Sequence, residues 1–74
     1  MIYPYKIETK EDLYRLSELA AKERYPIYIS TETAQFDAKS LLALFTILGK
    51  EINLVAPDHA DGADFVRFIE KLNK

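Results

Sequence analysis

The chain has 74 residues, of which 49% are hydrophobic and 30% charged, with a net charge of −2 and no cysteine. This length and balance are typical of one globular domain (residues 1–74), and they exclude a disordered or fibrous chain. The absence of cysteine excludes disulfides and thiolate chemistry, and the absence of a lysine or arginine block argues against nucleic acid as a partner.

The first two predicted elements are a strand and a helix. Residues 2–7 have a strand pattern, with Tyr3, Tyr5 and Ile7 on one face, and Pro4 places the strand at a sheet edge because proline cannot donate to a ladder. Thr9 is a predicted helix N-cap, and Asp12 completes a capping box. The helix ends before Pro26, whose ring disfavours a helical conformation in the preceding residue. Its apolar residues recur at helical spacing: Leu13, Leu16, Leu19 and Ala20.

A hairpin and a short helix follow. Residues 27–29 and 34–36 are predicted strands, separated by a polar turn. After a polar bend at residues 37–39, Ser40 is a predicted N-cap, because its hydroxyl can accept an unpaired backbone N–H. Gly49 closes this helix where a left-handed residue often stands. The apolar residues of the helix are Leu41, Leu42, Leu44, Phe45 and Leu48.

The last two predicted elements are a strand over residues 52–56 and a helix that begins near Asp61. This helix carries Phe65, Phe68, Ile69 and Leu72 on one apolar stripe. The complete order is β-α-β-β-α-β-α, and each helix has one apolar face. The sequence therefore predicts an α+β open-faced sandwich, in which three helices cover one face of a four-stranded antiparallel sheet.

Features of exported proteins, membrane proteins and enzymes are missing from the sequence pattern. No apolar run approaches the roughly 20 residues that cross a bilayer, and the first residues lack the zones of a signal peptide. We therefore expect a cytoplasmic protein with no membrane partner. No nucleophile–base pair or phosphate-cradling glycine loop is visible, so we expect no catalysis, no metal and no cofactor.

The segment Ala38-Lys39-Ser40-Leu41-Leu42 resembles the Ala-Lys-Ser-aliphatic segment at the second helix of HPr proteins. HPr is the phosphocarrier of the phosphoenolpyruvate-dependent sugar phosphotransferase system. The predicted element order is similar to that of HPr, as are the strand at 52–56 and the terminal amphipathic helix. This resemblance implies the HPr-like fold over the whole chain.

The same resemblance implies that this chain is not a phosphohistidine carrier. HPr carries phosphate on a histidine at the start of its first helix, in a Gly-Leu-His-Ala-Arg-Pro-Ala type motif. In the register set by Ser40, Thr9 takes the place of that histidine and Glu11 that of the arginine. No residue from Ile7 to Leu13 is a histidine, and the carboxylate of Glu11 would repel a phosphate.

Ser40 matches the regulatory serine of HPr, which an ATP-dependent HPr kinase phosphorylates in Gram-positive bacteria. The resemblance thus implies a regulatory protein, like the histidine-less paralogues that act in catabolite repression. Its partner would be a phosphotransferase-system component, HPr kinase or a transcriptional regulator, bound through residues 9–16 and 40–48. The candidate contact residues are Lys39, Leu41, Leu42 and Phe45. A simple helix cap is the alternative interpretation of Ser40 and explains the residue fully.

Two further alternatives remain open at this point. The apolar residues of the second helix crowd more than one of its sides, and an exposed patch there would suit a partner or, as the runner-up interpretation, a homodimer or accessory module. His59 is the only histidine and precedes the last helix. It is interpreted as a solvated loop residue, with a displaced phosphoacceptor or a metal ligand as the alternatives. The five tyrosines are expected to pack with their rings half-buried.

Overall fold

The computed structural model describes all 74 residues, which form four strands and three helices. The elements are β1 (Ile2–Lys6), α1 (Lys10–Ala21), β2 (Tyr28–Ser30), β3 (Gln35–Asp37), α2 (Leu41–Phe45), β4 (Glu51–Val55) and α3 (Gly62–Leu72). The order is the predicted β-α-β-β-α-β-α, and the α+β fold is confirmed. None of the three helices has the length and apolar character that a membrane span requires.

The four strands form one antiparallel sheet in the order β1-β4-β2-β3. Leu54 of β4 lies opposite Tyr3 of β1 on one side and opposite Ile29 of β2 on the other. Successive strand residues face opposite sides of a sheet, so this row points into the core, while Asn53 on the next row is exposed. The edge position of β1, predicted from Pro4, is confirmed.

One hydrophobic core lies between the sheet and the helices. Helix α1 lies between α2 and α3 and contacts both. The Arg15 guanidinium of α1 also donates to the carbonyl of Leu72 at the end of α3, at 3.4 Å. The core consists of 16 buried residues: Ile7, Leu13, Leu16, Ala20, Tyr25, Ile27, Ile29, Ala38, Leu44, Ile47, Ile52, Leu54, Ala56, Phe65, Phe68 and Leu72.

The strands of the hairpin each begin one residue later than predicted, and the last strand begins one residue earlier. Ile27 falls just outside β2 but stays in the core, and its carbonyl accepts the N–H of Ala38 at 2.9 Å. The bend predicted at residues 37–39 is present as a turn, but its middle residue is buried. Ala38 is fully buried, because this hydrogen bond holds the residue against β2.

The second helix is shorter than its apolar pattern predicts. The α-helix ends at Phe45, and the chain continues in tighter i→i+3 turns, in which the N–H of Thr46 donates to the Ala43 carbonyl at 3.0 Å. Ile47 remains buried in these turns. Gly49 closes them with φ +84°, the left-handed conformation predicted for it, and its N–H donates to the Ile7 carbonyl at 2.7 Å.

Candidate protein-interaction surface

Ser40 caps α2, as its position before an apolar turn predicts. Its backbone is extended, and its Oγ accepts the N–H of Ala43 at 3.3 Å. The Ser40 N–H donates to the Asp37 carbonyl at 3.1 Å, so the residue is fixed from both sides. The side chain is exposed, and the first turn of α2 contains no acidic residue. The Ser40 hydroxyl is therefore accessible to solvent.

Lys39, beside Ser40, is engaged with Asp37. The Lys39 ammonium lies 2.9 Å from one Asp37 carboxylate oxygen, and the Lys39 N–H donates to the other at 2.8 Å. The backbone N–H of Lys39 lowers the pKa of Asp37 most; burial opposes this effect, and the Lys39 ammonium adds to it. The positive charge nearest Ser40 in sequence is therefore held in an exposed ion pair.

Helix α2 presents an apolar patch to solvent beside Ser40. Leu44 is fully buried and anchors the helix, whereas Leu42 is 84% exposed and both Leu41 and Phe45 are 41% exposed. Tyr14 of α1 completes the surface, because its ring meets that of Phe45 edge-on with centroids 6.1 Å apart. We call these four residues, Tyr14, Leu41, Leu42 and Phe45, the α1–α2 patch.

Tyr14 lies in the predicted contact range of residues 9–16, but it is not among the candidate contact residues named from the sequence. The expectation of half-burial applies to Tyr3, Tyr5 and Tyr28, but Tyr14 is exposed. The helical spacing does indicate that Tyr14 is exposed, because Tyr14 falls outside the buried stripe that begins at Leu13. The sequence did not predict the contact between Tyr14 and Phe45, because the packing of α1 on α2 sets the distance between the two rings.

Tyr25 differs from the other tyrosines in being buried, and burial, helped by the Glu23 carboxylate, raises its pKa. Its hydroxyl has no hydrogen-bond partner.

His59 lies exposed in the turn between β4 and α3. Of its acidic neighbours, Asp61 caps α3 by accepting the N–H of Ala63 at 2.8 Å. The carboxylate of Asp61 therefore already has a structural role.

Thr9 caps α1 in the predicted capping box. The Thr9 Oγ1 accepts the N–H of Asp12 at 3.1 Å, and the Thr9 N–H donates to the Asp12 carboxylate at 3.2 Å. The same carboxylate oxygen accepts the N–H of Glu8 at 3.3 Å. Glu11 adds a second acid to the first turn. Two backbone donors at this helix start are thus occupied by a carboxylate, in an acidic neighbourhood.

Thr9 caps the start of α1, whereas Ser40 lies beside a later part of that helix. The Ser17 hydroxyl donates to the Lys39 carbonyl at 3.4 Å, so the start of α2 packs near the middle of α1. Tyr14, nearer the start of α1, meets Phe45 at the end of α2, so the two helices run antiparallel. The helical rise from Thr9 to Ser17 is about 12 Å. The two predicted positions are therefore separated along α1 and do not form one cluster.

Comparisons with known proteins identify the fold. No protein-family model matches the chain, and no curated protein matches it. The crystal structure of HPr-C-His from Thermoanaerobacter tengcongensis superposes with a TM-score of 0.74 at 13% identity, covering 100% of this chain and 97% of that chain. The phosphocarrier protein HPr from Bacillus anthracis str. Ames superposes with a TM-score of 0.67 at 16% identity, covering 97% of this chain and 90% of that chain. The predicted HPr-like fold is confirmed.

Proposed function

We propose that this chain is a non-catalytic, regulatory relative of the sugar phosphotransferase system that acts in the cytoplasm through protein–protein contacts. The observation that carries the proposal is the α1–α2 patch, which leaves Leu42 84% exposed beside the exposed hydroxyl of Ser40. Fully burying one large apolar side chain contributes roughly 1.5–3 kcal/mol, so a few such residues can anchor a partner. The partner would be a phosphotransferase-system component, HPr kinase or a transcriptional regulator.

The proposal assigns no phosphohistidine to this chain. Thr9 stands where the HPr resemblance puts the histidine, and its neighbours Glu8, Glu11 and Asp12 are acids. Asp12 already accepts the N–H groups of Glu8 and Thr9, which supports the view that this helix start serves stability. Incubation with enzyme I and phosphoenolpyruvate should therefore leave the chain unlabelled. A label on His59 would contradict this part of the proposal.

Ser40 is the regulatory site in this proposal. HPr kinase would transfer the γ-phosphoryl group of ATP to the Ser40 Oγ, releasing ADP and the hydroxyl proton. The new negative charge would lie beside the α1–α2 patch and near Lys39. It would compete with Asp37 for the Lys39 ammonium. Phosphorylation would thus change the charge of the docking surface and the partner that recognises it.

Intact mass after incubation with HPr kinase and ATP tests this step. We expect the parent chain to gain one phosphoryl group and a Ser40→Ala variant to gain none. Ser17→Ala and Ser30→Ala are matched controls that should still be modified. An HPr that is a known substrate, run in parallel, shows that the kinase is active. If that HPr is phosphorylated and the parent chain is not, Ser40 is a helix cap and the regulatory proposal is wrong.

The same patch supports a second candidate function, a homodimeric or accessory module that has the HPr fold but no role in sugar transport. An isologous contact would bury two copies of Leu42 and Phe45 against each other. Sedimentation velocity at several concentrations distinguishes the two candidates. A dimer that Leu42→Lys converts to a monomer would favour the second candidate, and a concentration-independent monomer would favour the first.

A further inference from the structure

A second apolar surface lies away from the α1–α2 patch, between the edge strand β1 and helix α3. It is a groove of about 570 Å³. Its lining includes Ile2, Tyr3, Phe65, Val66, Ile69 and Glu70. Ile2 is 69% exposed and Val66 is 55% exposed, so both present apolar atoms to solvent. We call this surface the β1–α3 groove.

The charges around the groove are acidic. Glu70 is the only charged side chain in the lining, and Asp61 precedes the lining residue Gly62. Neither carboxylate takes part in an ion pair, whereas the Met1 ammonium at this end is already 3.8 Å from Asp58. Arg67 lies three residues before Glu70 on α3, but its guanidinium is already paired with Asp64. No lysine or arginine lines the groove.

The edge of β1 beside the groove is poorly suited to an added strand. The Met1 carbonyl accepts the N–H of Ala56 at 2.8 Å, so the backbone groups of Met1 face β4 and those of the even-numbered residues face outward. Pro4 is one of these outward residues and has no N–H to donate. A partner strand would lose a hydrogen bond at the centre of this five-residue edge. Recognition here depends on side chains and not on sheet extension.

We propose that the β1–α3 groove binds a cationic amphipathic helix of another protein. Apolar side chains at i and i+3 or i+4 of that helix would pack against Tyr3, Val66 and Ile69. Its flanking lysines or arginines would face Glu70 and Asp61. A second copy of this chain fits less well, because a two-fold contact would bring the carboxylates of both copies together.

The test is a titration of the ¹⁵N-labelled full chain with synthetic helical peptides, followed by NMR. The probe peptide has leucines at i, i+3, i+4 and i+7 and lysines at the other positions. One control peptide replaces each lysine by glutamate, and another shuffles the leucines to break the apolar stripe. We expect saturable shifts of the Ile2, Val66 and Glu70 amides with the lysine peptide only. The affinity should fall as salt rises, because exposed charges are screened.

Variants locate the binding surface. Val66→Lys should weaken binding by about tenfold or more, because it removes apolar contact and adds a repelling charge. Glu70→Lys should weaken binding by about two- to fivefold, in line with the strength of exposed ion pairs. Leu42→Lys is the matched control on the α1–α2 patch and should bind as the parent does. Both groove positions are exposed, so these variants are expected to fold.

Several results would overturn the proposal. Absence of saturable shifts, or equal binding of the glutamate peptide, would remove the cationic helix as the occupant. Shifts centred on Leu42 and Phe45, abolished by Leu42→Lys, would assign the peptide to the α1–α2 patch. Groove shifts that depend on protein concentration without any peptide would instead assign the groove to a second copy.

Discussion

Thr9 and Ser40 each cap a helix with a side-chain hydroxyl, but the two helix starts differ in charge and in hydrogen bonding. At Thr9 the cap is reciprocal, because Asp12 accepts the Thr9 N–H while its own N–H donates to the Thr9 oxygen. At Ser40 the cap is one hydrogen bond of 3.3 Å, and no acid stands in the first turn of α2. Position 40 is flanked in the chain by Lys39 and by the exposed Leu41 and Leu42.

This difference shows that two hydroxyl caps can offer very different surroundings to a new charge. The hydroxyl of Thr9 is committed to a network that stabilises α1 and that already contains a negative charge. The hydroxyl of Ser40 makes a weaker local bond and lies beside a surface that has no partner within the chain. A new charge is therefore compatible with Ser40 and conflicts with Thr9. Five predictions test how far this contrast extends.

The largest effect is expected at the residue that holds α2 in place. Leu44 is fully buried, so Leu44→Ala should lower the free energy of unfolding by about 2–5 kcal/mol, through lost burial and the cavity left behind. Leu42→Ala in the exposed patch should change the free energy of unfolding by less than about 0.5 kcal/mol. Urea denaturation measures both. A similar loss for the two variants would show that Leu42 is not free for a partner.

The second prediction compares the two caps directly. Thr9→Ala should cost about 1–2 kcal/mol of unfolding free energy, because it breaks the capping box on a helix of 12 residues. Ser40→Ala should cost about 0.5–1 kcal/mol, since it removes one hydrogen bond from a helix of five residues. Urea denaturation of the two variants in one buffer gives the ranking. The reverse ranking would remove the structural distinction between the caps.

The sequence was sufficient for the element order and for both caps, because these depend on local chemistry. Thr9 with Asp12, Ser40 before an apolar turn, and Gly49 in a left-handed conformation are each encoded within a few residues. The edge position of β1 also followed from a single residue, Pro4.

Features that depend on packing between elements did not follow from the sequence. Tyr14 joins the patch only because α1 and α2 pack antiparallel and bring its ring to Phe45. Ala38 reads as part of a polar bend, but the pairing with Ile27 buries it. The sequence also did not show that α2 ends at Phe45 and that Ile47 is buried in the turns that follow. The β1–α3 groove brings together residues from opposite ends of the chain.

The third prediction places a negative charge at each cap. Ser40→Asp should leave the free energy of unfolding unchanged or raise it by about 0.3–1 kcal/mol, because aspartate is a good cap and Lys39 is adjacent. Thr9→Asp should lower it by a few tenths of a kcal/mol, because the new carboxylate would face Glu8 and Asp12. Thermal unfolding at low and high salt measures both effects. If the two variants change the free energy of unfolding by the same amount, the contrast in charge is wrong. It is also wrong if salt does not reduce the difference between them.

The smallest effect concerns Asp37, which organises the turn before Ser40. Its pKa is lowered below the ordinary value, so its ionised form favours the folded state. The resulting stabilisation is present at pH values above the unfolded pKa of about 3.9 and is lost as the pH falls through the native pKa. In Asp37→Asn the amide oxygen can still accept the Lys39 N–H, so only the charge is removed. The parent should exceed this variant in unfolding free energy by less than about 1 kcal/mol at neutral pH, and the gap should close in acid.

Lys39→Met separates the two sources of this pKa shift. The backbone N–H of residue 39 is the larger cause, and it is retained in the variant, whereas the ammonium is lost. An NMR titration of the Asp37 carboxyl should therefore find that most of the lowering persists in Lys39→Met. If the pKa returned to its ordinary value, the Lys39 ammonium would be the principal partner of Asp37. A phosphate on Ser40 that drew this ammonium away would then also loosen the turn that positions Ser40. If the lowering persists, the turn is held by its backbone, and the proposed phosphorylation of Ser40 would change the charge of the surface without changing its shape.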